Sequence, residues 1–319
     1  MKSIFIGLLF NNEFDLLSVA VNMYLPHVSG IDIVQSAVTL SGKPKKIMKY
    51  NPWSPKVKFT TIYNTSTLFH KKNLEVEKQK IMGEMIQARI PKPQDCIFVP
   101  KLEELVNPVI LRQSCNTLKP GQTVQFSLMW FYSNFWRLAF PKTWNIKAMT
   151  TFQTFETKFL FDASLMRIAR KDIVKIHASS NKQCHYKTQI PIGWRCTMCF
   201  RKRIEYVKKL SSSPRKKYIL MSKDNNIINN IMCRGHWLDQ GVLGTVQHCH
   251  SLPNGSETLL SNCAMYNIIP KVSPSLSECS EYKLAPCSMK KLYETCTVMQ
   301  THLDERNYIW SNYLKTCLL

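Results

Sequence analysis

The sequence predicts a mixed α+β fold in which helices and short strands precede a Cys-rich, basic C-terminal module. Three observations lead to this prediction. Short β-branched and aromatic runs alternate with segments of helical periodicity through the first 180 residues. Ten of the twelve cysteines lie at or beyond Cys184. Lys and Arg number 43 against 21 Asp and Glu, so the chain carries a formal net charge of +22.

The first predicted segment, residues 1–95, is an α/β segment. Its apolar run at residues 4–10 also resembles the start of a signal peptide. The elements expected after it are a helix, two strands and an amphipathic helix, at residues 16–25, 31–40, 57–63 and 71–88. Residues 91–100 contain three prolines and predict a linker.

The second predicted segment, residues 96–180, combines an aromatic strand with an amphipathic helix. In residues 123–132 every second side chain from Val124 to Tyr132 is apolar or aromatic, so these side chains point one way, which is typical of a half-buried strand. Residues 152–176 carry an apolar stripe at helical spacing and gather basic residues in their C-terminal half. We expect this helix to pack on the core; the alternative is a basic amphipathic helix that binds a membrane or a polyanion.

The third predicted segment, residues 181–287, is a Cys/His-rich basic module, and residues 288–319 predict a C-terminal helix. Cys196 and Cys199 form a C-x2-C pair, and Cys233 and His236 form a C-x2-H pair. Three thiolates and one imidazole at these spacings suit a tetrahedral zinc site. Gly193 precedes the first pair, where we expect it to serve a tight turn. Disulfide bonding and free cysteines remain open alternatives to zinc.

A basic stretch occupies most of the 33 residues between the two predicted ligand pairs. Residues 201–223 contain nine basic residues against one acidic residue. A metal site that holds both ends of such a stretch would present its cations to phosphate groups. The candidate nucleic-acid-binding residues are Arg201, Lys202, Arg203, Lys208, Lys209, Arg215, Lys216 and Lys217.

These features predict a non-enzymatic protein that binds nucleic acid or another polyanion through a zinc-stabilised basic module. The sequence lacks phosphate-binding Gly-rich loops, zinc-protease and serine-hydrolase motifs. No uninterrupted apolar run reaches the length of a membrane-spanning helix, and an intracellular location, nuclear or cytoplasmic, is favoured over secretion.

Two alternatives to this function stay open. One is a secreted, disulfide-bonded glycoprotein, suggested by the even number of cysteines and by glycosylation sequons at Asn64 and Asn254. The other is a weakly selected reading frame with no settled biochemical function, suggested by the scarcity of glycine and acidic residues.

Overall fold

Helices and strands alternate along the chain, so the predicted mixture of both is confirmed. The structure, a computed structural model, describes residues 1–11, 13–38, 44, 47–48, 53–63, 71–132, 134–176, 192–197, 203–211, 216–223 and 245–248. The strands are β1 (Ile4–Phe10), β2 (Gly30–Ser36), β3 (Val57–Ile62), β4 (Cys96–Phe98), β5 (Glu104–Val106), β6 (Thr123–Tyr132), β7 (Asn134–Thr151), β8 (Ile173–Ile176), β9 (Gly193–Thr197) and β10 (Thr245–His248). The helices are α1 (Phe14–Tyr24), α2 (Lys71–Gln87), α3 (Pro108–Thr117), α4 (Phe152–Thr157), α5 (Ala163–Ile168), α6 (Arg203–Ser211) and α7 (Lys216–Met221).

The first four strands form a parallel sheet in the order β3-β2-β1-β4. β2 is buried along its whole length and β1 is nearly so, as expected for parallel strands that helices cover on both faces. Leu17 and Val21 of α1 belong to the core on one face, whereas Met82 and Ile86 of α2 belong to the core on the other. This half of the molecule is therefore a doubly wound α/β sheet.

The remaining strands extend this sheet in mixed orientation. β7 runs antiparallel to β4 and forms a hairpin with β6. The free edge of β6 is shared by two short strands that run parallel to it, β8 beside its first half and β9 beside its last residues. β9 also pairs with β5, and β10 pairs with β7. One sheet thus takes strands from the first three predicted segments, while the boundaries of those segments stay a prediction.

A disulfide joins strand β4 to α3, the helix beside it. Cys96 and Cys115 have Cα atoms 5.9 Å apart and are 19 residues apart in the sequence. Both are fully buried in the core that also contains Leu111 of α3. Neither cysteine belongs to the crowded C-terminal group, so the sequence pattern gave no reason to pair them.

Most of the elements predicted in the first 132 residues agree with the structure. The linker predicted at residues 91–100 and the single helix predicted at residues 152–176 do not. The helices and strands expected at residues 16–25, 31–40, 57–63, 71–88 and 123–132 correspond to α1, β2, β3, α2 and β6. Residues 4–10 form the central strand β1. The linker expected at residues 91–100 contains β4, whose three residues are all buried.

The prediction of a single helix at residues 152–176 is wrong, because the chain turns between α4 and α5 and again between α5 and β8. Leu160 and Phe161 both have positive φ angles, of 48° and 60°, and separate α4 from α5. Asp162 then begins α5 by accepting a hydrogen bond from the amide of Ser164. Phe155 and Met166 are nevertheless buried in the same core, so the apolar stripe predicted the burial correctly and the continuity wrongly.

Candidate functional site

The parallel sheet changes direction of winding between β1 and β4. From β1 the chain proceeds to β2 on one side, whereas β4 lies on the other side of β1. Crevices at the carboxyl ends of strands flanking such a switch point are the usual ligand sites of open α/β sheets. Here β1 leads into Asn11 and Glu13, and Lys101 pairs with Leu9, which brings the segment after β4 alongside the end of β1.

Eight charged residues gather at this carboxyl edge, and we call them the edge cluster. They come from seven different parts of the fold, including the segment that follows β4, the helices α2, α5 and α6, and the strands β5 and β9. The edge cluster comprises Glu13, Lys78, Lys101, Glu103, Glu104, Arg167, Arg195 and Lys209. Five cations against three carboxylates give it a formal charge of 5 − 3 = +2.

Glu104 is the fully buried anchor of the edge cluster. Its carboxylate accepts hydrogen bonds from Arg167 Nη2 at 2.7 Å, from the Lys101 amide at 2.7 Å and from Trp144 Nε1 at 3.0 Å. Burial alone raises the pKa of Glu104, but the Arg167 guanidinium and the Lys101 amide outweigh it, so the pKa is lower than usual. Glu104 is therefore ionised at neutral pH despite its burial.

Arg195 lies opposite Glu104 in the β5–β9 ladder and faces two tryptophans. Its Nη2 atom contacts Glu103 Oε1 at 2.6 Å. Its guanidinium carbon lies 3.4 Å from the ring centroid of Trp144 and 5.6 Å from that of Trp130. These cation–π and ionic contacts fix the guanidinium at the edge of the sheet.

Lys209 attaches α6 to the same edge, because its Nζ atom pairs with Glu13 Oε1. Desolvation lowers the pKa of Lys209, but the carboxylates of Glu13 and Glu103 outweigh it and raise the pKa to about 12. On the other side of β1, the buried Lys78 donates a hydrogen bond of 3.1 Å to Asn11 Oδ1. The side chain of Lys101, whose amide donates to Glu104, is exposed.

The sequence-predicted residues are only partly within the described ranges. Cys196 follows Arg195 on β9, whereas Cys199, Cys233 and His236 lie outside those ranges. Zinc binding by these four residues stays a prediction. Where the chain is described, no three His, Cys, Asp or Glu side chains converge in a way that could hold a metal ion.

The candidate nucleic-acid-binding residues lie mostly on α6, which carries the edge-cluster residue Lys209, and on α7, which packs against α6. α6 contains Arg203, Lys208 and Lys209, and Lys216 and Lys217 begin α7. Lys208 is exposed, whereas the ammonium group of Lys209 is engaged by Glu13. Arg201, Lys202 and Arg215 fall outside the described residues. Contact of these cations with phosphate stays a prediction.

Gly193 has a different structural role from the predicted turn. It lies within β9, and a Cβ atom built there would approach Leu105 O to 2.3 Å and Val106 Cα to 2.8 Å. The residue is therefore required by the close approach of two backbones.

No known protein family matches this chain. No curated protein matches it either. Among the helices of the described ranges, none combines the length and the apolar character needed to cross a bilayer.

Proposed function

We propose that the protein binds polyanions, with nucleic acid as the expected ligand, along the carboxyl edge of its parallel strands and the adjoining basic helices. The observation that carries this proposal is the Lys209–Glu13 ion pair, which attaches the predicted basic stretch to the switch point of the sheet. The basic stretch therefore lies next to the carboxyl ends of the strands at the switch point, where open α/β sheets usually bind their ligands.

The charges of the edge cluster support an anionic ligand. Its carboxylates are all paired: Glu13 with Lys209, Glu103 with Arg195, and Glu104 with Arg167. Each acidic group is therefore compensated, and the cluster still has a cationic excess. The exposed ammonium groups of Lys101 and Lys208 add to a positive potential that attracts phosphate.

The proposed zinc site belongs to the same arrangement. Cys196, Cys199, Cys233 and His236 would hold the ion, and Cys196 directly follows the edge-cluster residue Arg195 on β9. A metal bound there would connect the sheet to the segment that carries the cations. It would act as a structural support, since the proposal includes no catalytic step.

Salt-dependent binding tests the proposed phosphate contacts. Binding of a labelled single-stranded oligonucleotide is measured by fluorescence anisotropy over a range of KCl concentrations. The slope of log affinity against log salt is negative. In the Lys101→Gln/Lys208→Gln variant, we expect its magnitude to decrease by about 1.4, because each phosphate contact contributes roughly −0.7 to the slope for single strands.

The matched control removes the same charge from the opposite edge. Lys56 and Lys92 are exposed, and each precedes the start of a parallel strand at the amino edge. The Lys56→Gln/Lys92→Gln variant should bind like the unaltered protein. Equal losses in the two variants, or affinity that does not depend on salt, would contradict the proposed location.

The Cys96–Cys115 disulfide favours a second candidate, the secreted glycoprotein. Disulfides persist mainly in oxidising compartments, and this one is buried in the core. The sequons at Asn64 and Asn254 lie outside the described residues. Intact mass before and after reduction and alkylation, on protein from its native source, separates the candidates. Attached glycan with few free thiols would favour the glycoprotein, and twelve free thiols would end it.

A further inference from the structure

The segment that forms α4 and α5 has an unusually apolar outer side. Its inner side is conventional, because Phe155, Ala163 and Met166 are buried against the sheet. Leu165 and Ile168 lie three residues apart on the opposite side of α5, where they are 38% and 68% exposed. Large apolar side chains that share one outer face indicate a contact surface more strongly than scattered ones do.

The turn between the two helices adds a third exposed apolar side chain to this segment. Phe161 packs inward, with its ring centroid 5.9 Å from that of Phe155. The preceding residue, Leu160, is 73% exposed and has a φ of 48°. The left-handed region is unfavourable for leucine, and folding gains nothing from the exposed side chain. The turn therefore exposes the Leu160 side chain to solvent while its backbone adopts an unfavourable conformation.

Exposed cations follow directly after these apolar residues. Arg170 and Lys171 come two and three residues after Ile168, and Lys175 lies on β8. All three are exposed and take part in none of the ion pairs found among the described residues. We call the combined surface the α5 patch, which consists of Leu160, Leu165, Ile168, Arg170, Lys171 and Lys175.

We propose that the α5 patch is a membrane-surface binding site that takes anionic phospholipid. Apolar side chains can enter the boundary between headgroups and acyl chains while neighbouring cations contact acidic headgroups. A second copy of the chain would place like charges against one another. Nucleic acid would use the cations and leave the leucine and isoleucine side chains in water. This proposal goes beyond the proposed function and does not depend on it.

Vesicle flotation tests the membrane proposal on the full chain. Phosphatidylcholine vesicles with and without phosphatidylserine are the probes. We expect binding to the phosphatidylserine vesicles, and a loss of about 25-fold in the Arg170→Gln/Lys171→Gln variant, since each cation near an anionic bilayer contributes about fivefold. The Leu160→Ser/Ile168→Ser variant keeps every charge and should lose about tenfold, because insertion of apolar side chains is removed.

Two control variants separate the α5 patch from the general positive charge. Lys56→Gln/Lys92→Gln removes two exposed cations at the amino edge. Val109→Ser/Leu220→Ser removes exposed apolar side chains on α3 and α7. Both controls should float like the unaltered protein, and circular dichroism should show that all four variants are folded.

Three results would overturn the proposal. The first is the absence of binding to phosphatidylserine vesicles. The second is binding that the Leu160→Ser/Ile168→Ser variant retains in full, which would indicate charge attraction alone. The third is an unchanged affinity for vesicles together with a loss of oligonucleotide binding in the Arg170→Gln/Lys171→Gln variant, which would assign the patch to nucleic acid.

Discussion

Replacing Cys96 and Cys115 by alanine tests whether the buried disulfide stabilises the doubly wound half of the protein. The bond closes a loop between positions 19 residues apart. A loop of this length lowers the entropy of the unfolded chain by an amount worth about 3 kcal/mol at 25 °C. Scaled to a large domain, this free energy corresponds to a fall of about 6 to 12 °C in Tm. We expect that fall in the Cys96→Ala/Cys115→Ala variant, measured by thermal unfolding in oxidising buffer.

The same measurement in reducing buffer provides the control, because other cysteines in the chain also respond to reductant. Reduction opens the disulfide of the unaltered protein, so the difference in Tm between the two proteins should almost disappear. Equal Tm values in oxidising buffer would show that the two sulfurs are not bonded. A difference that persists after reduction would mean that the alanines act by loss of packing, since both cysteines are fully buried.

Three further predictions concern packing, charge and metal. In Gly83→Ala, the new Cβ atom would lie 2.6 Å from Phe161 O. We therefore expect urea unfolding to show a free energy of unfolding lower by about 1 to 3 kcal/mol, although alanine has the better helix propensity. Glu84→Ala, at the exposed next position of the same helix, is the control. Glu104→Gln should cost about 3 kcal/mol at neutral pH by leaving Arg167 without its carboxylate. The pKa of Glu104 lies below its ordinary value of 4.5, so the ionised carboxylate stabilises the fold above pH 4.5 and this stabilisation is lost on acidification. Plotted against pH, the stabilities of the unaltered protein and of Glu104→Gln should therefore converge in acid. Parallel curves would refute the assignment. Elemental analysis should find one zinc per chain and none in Cys196→Ser/Cys199→Ser, and zinc retained in that variant would exclude this ligand set.

A cooperative thermal transition would argue against the alternative of a weakly selected reading frame with no settled function. All ten strands within the described residues belong to one sheet, and two buried cores pack against it. We therefore expect a single sharp unfolding transition for the unaltered protein. A broad, non-cooperative transition would favour the interpretation of a reading frame without a settled function.

The sequence predicted local elements well where one pattern served one element. Thr123–Tyr132 carries an apolar or aromatic residue at every second position from Val124 and forms β6 with the predicted bounds. Ile4–Phe10 has no alternation, and only the sheet itself explains why, since a parallel strand covered on both faces is apolar throughout. β4 was missed because three residues between prolines are too few for a periodic signal. The parallel strand order was equally out of reach, because pairing depends on contacts between distant residues.

The edge cluster could not be predicted for the same physical reason. Lys209 and Glu13 are 196 positions apart in the sequence, and Arg195 and Glu103 are 92 apart. A charge run indicates where cations are dense, but it did not predict that part of this stretch forms the helix α6. It could not show that one of those cations would pair with Glu13, nor that a scarce acidic residue such as Glu104 would be buried beside Arg167. Such partners are recognised only when the fold is known.

The position of β9 determines how the protein can be divided for experiment. This strand lies between β5 and β6, although nearly ninety residues separate it from the first of them. A shortened polypeptide that stops before residue 192 would leave both neighbours with unsatisfied hydrogen-bonding groups along one side. Exposed strand edges of this kind recruit other chains. Poor solubility of N-terminal fragments is therefore the expected outcome, and supplying residues 192–197 in trans as a peptide should restore it.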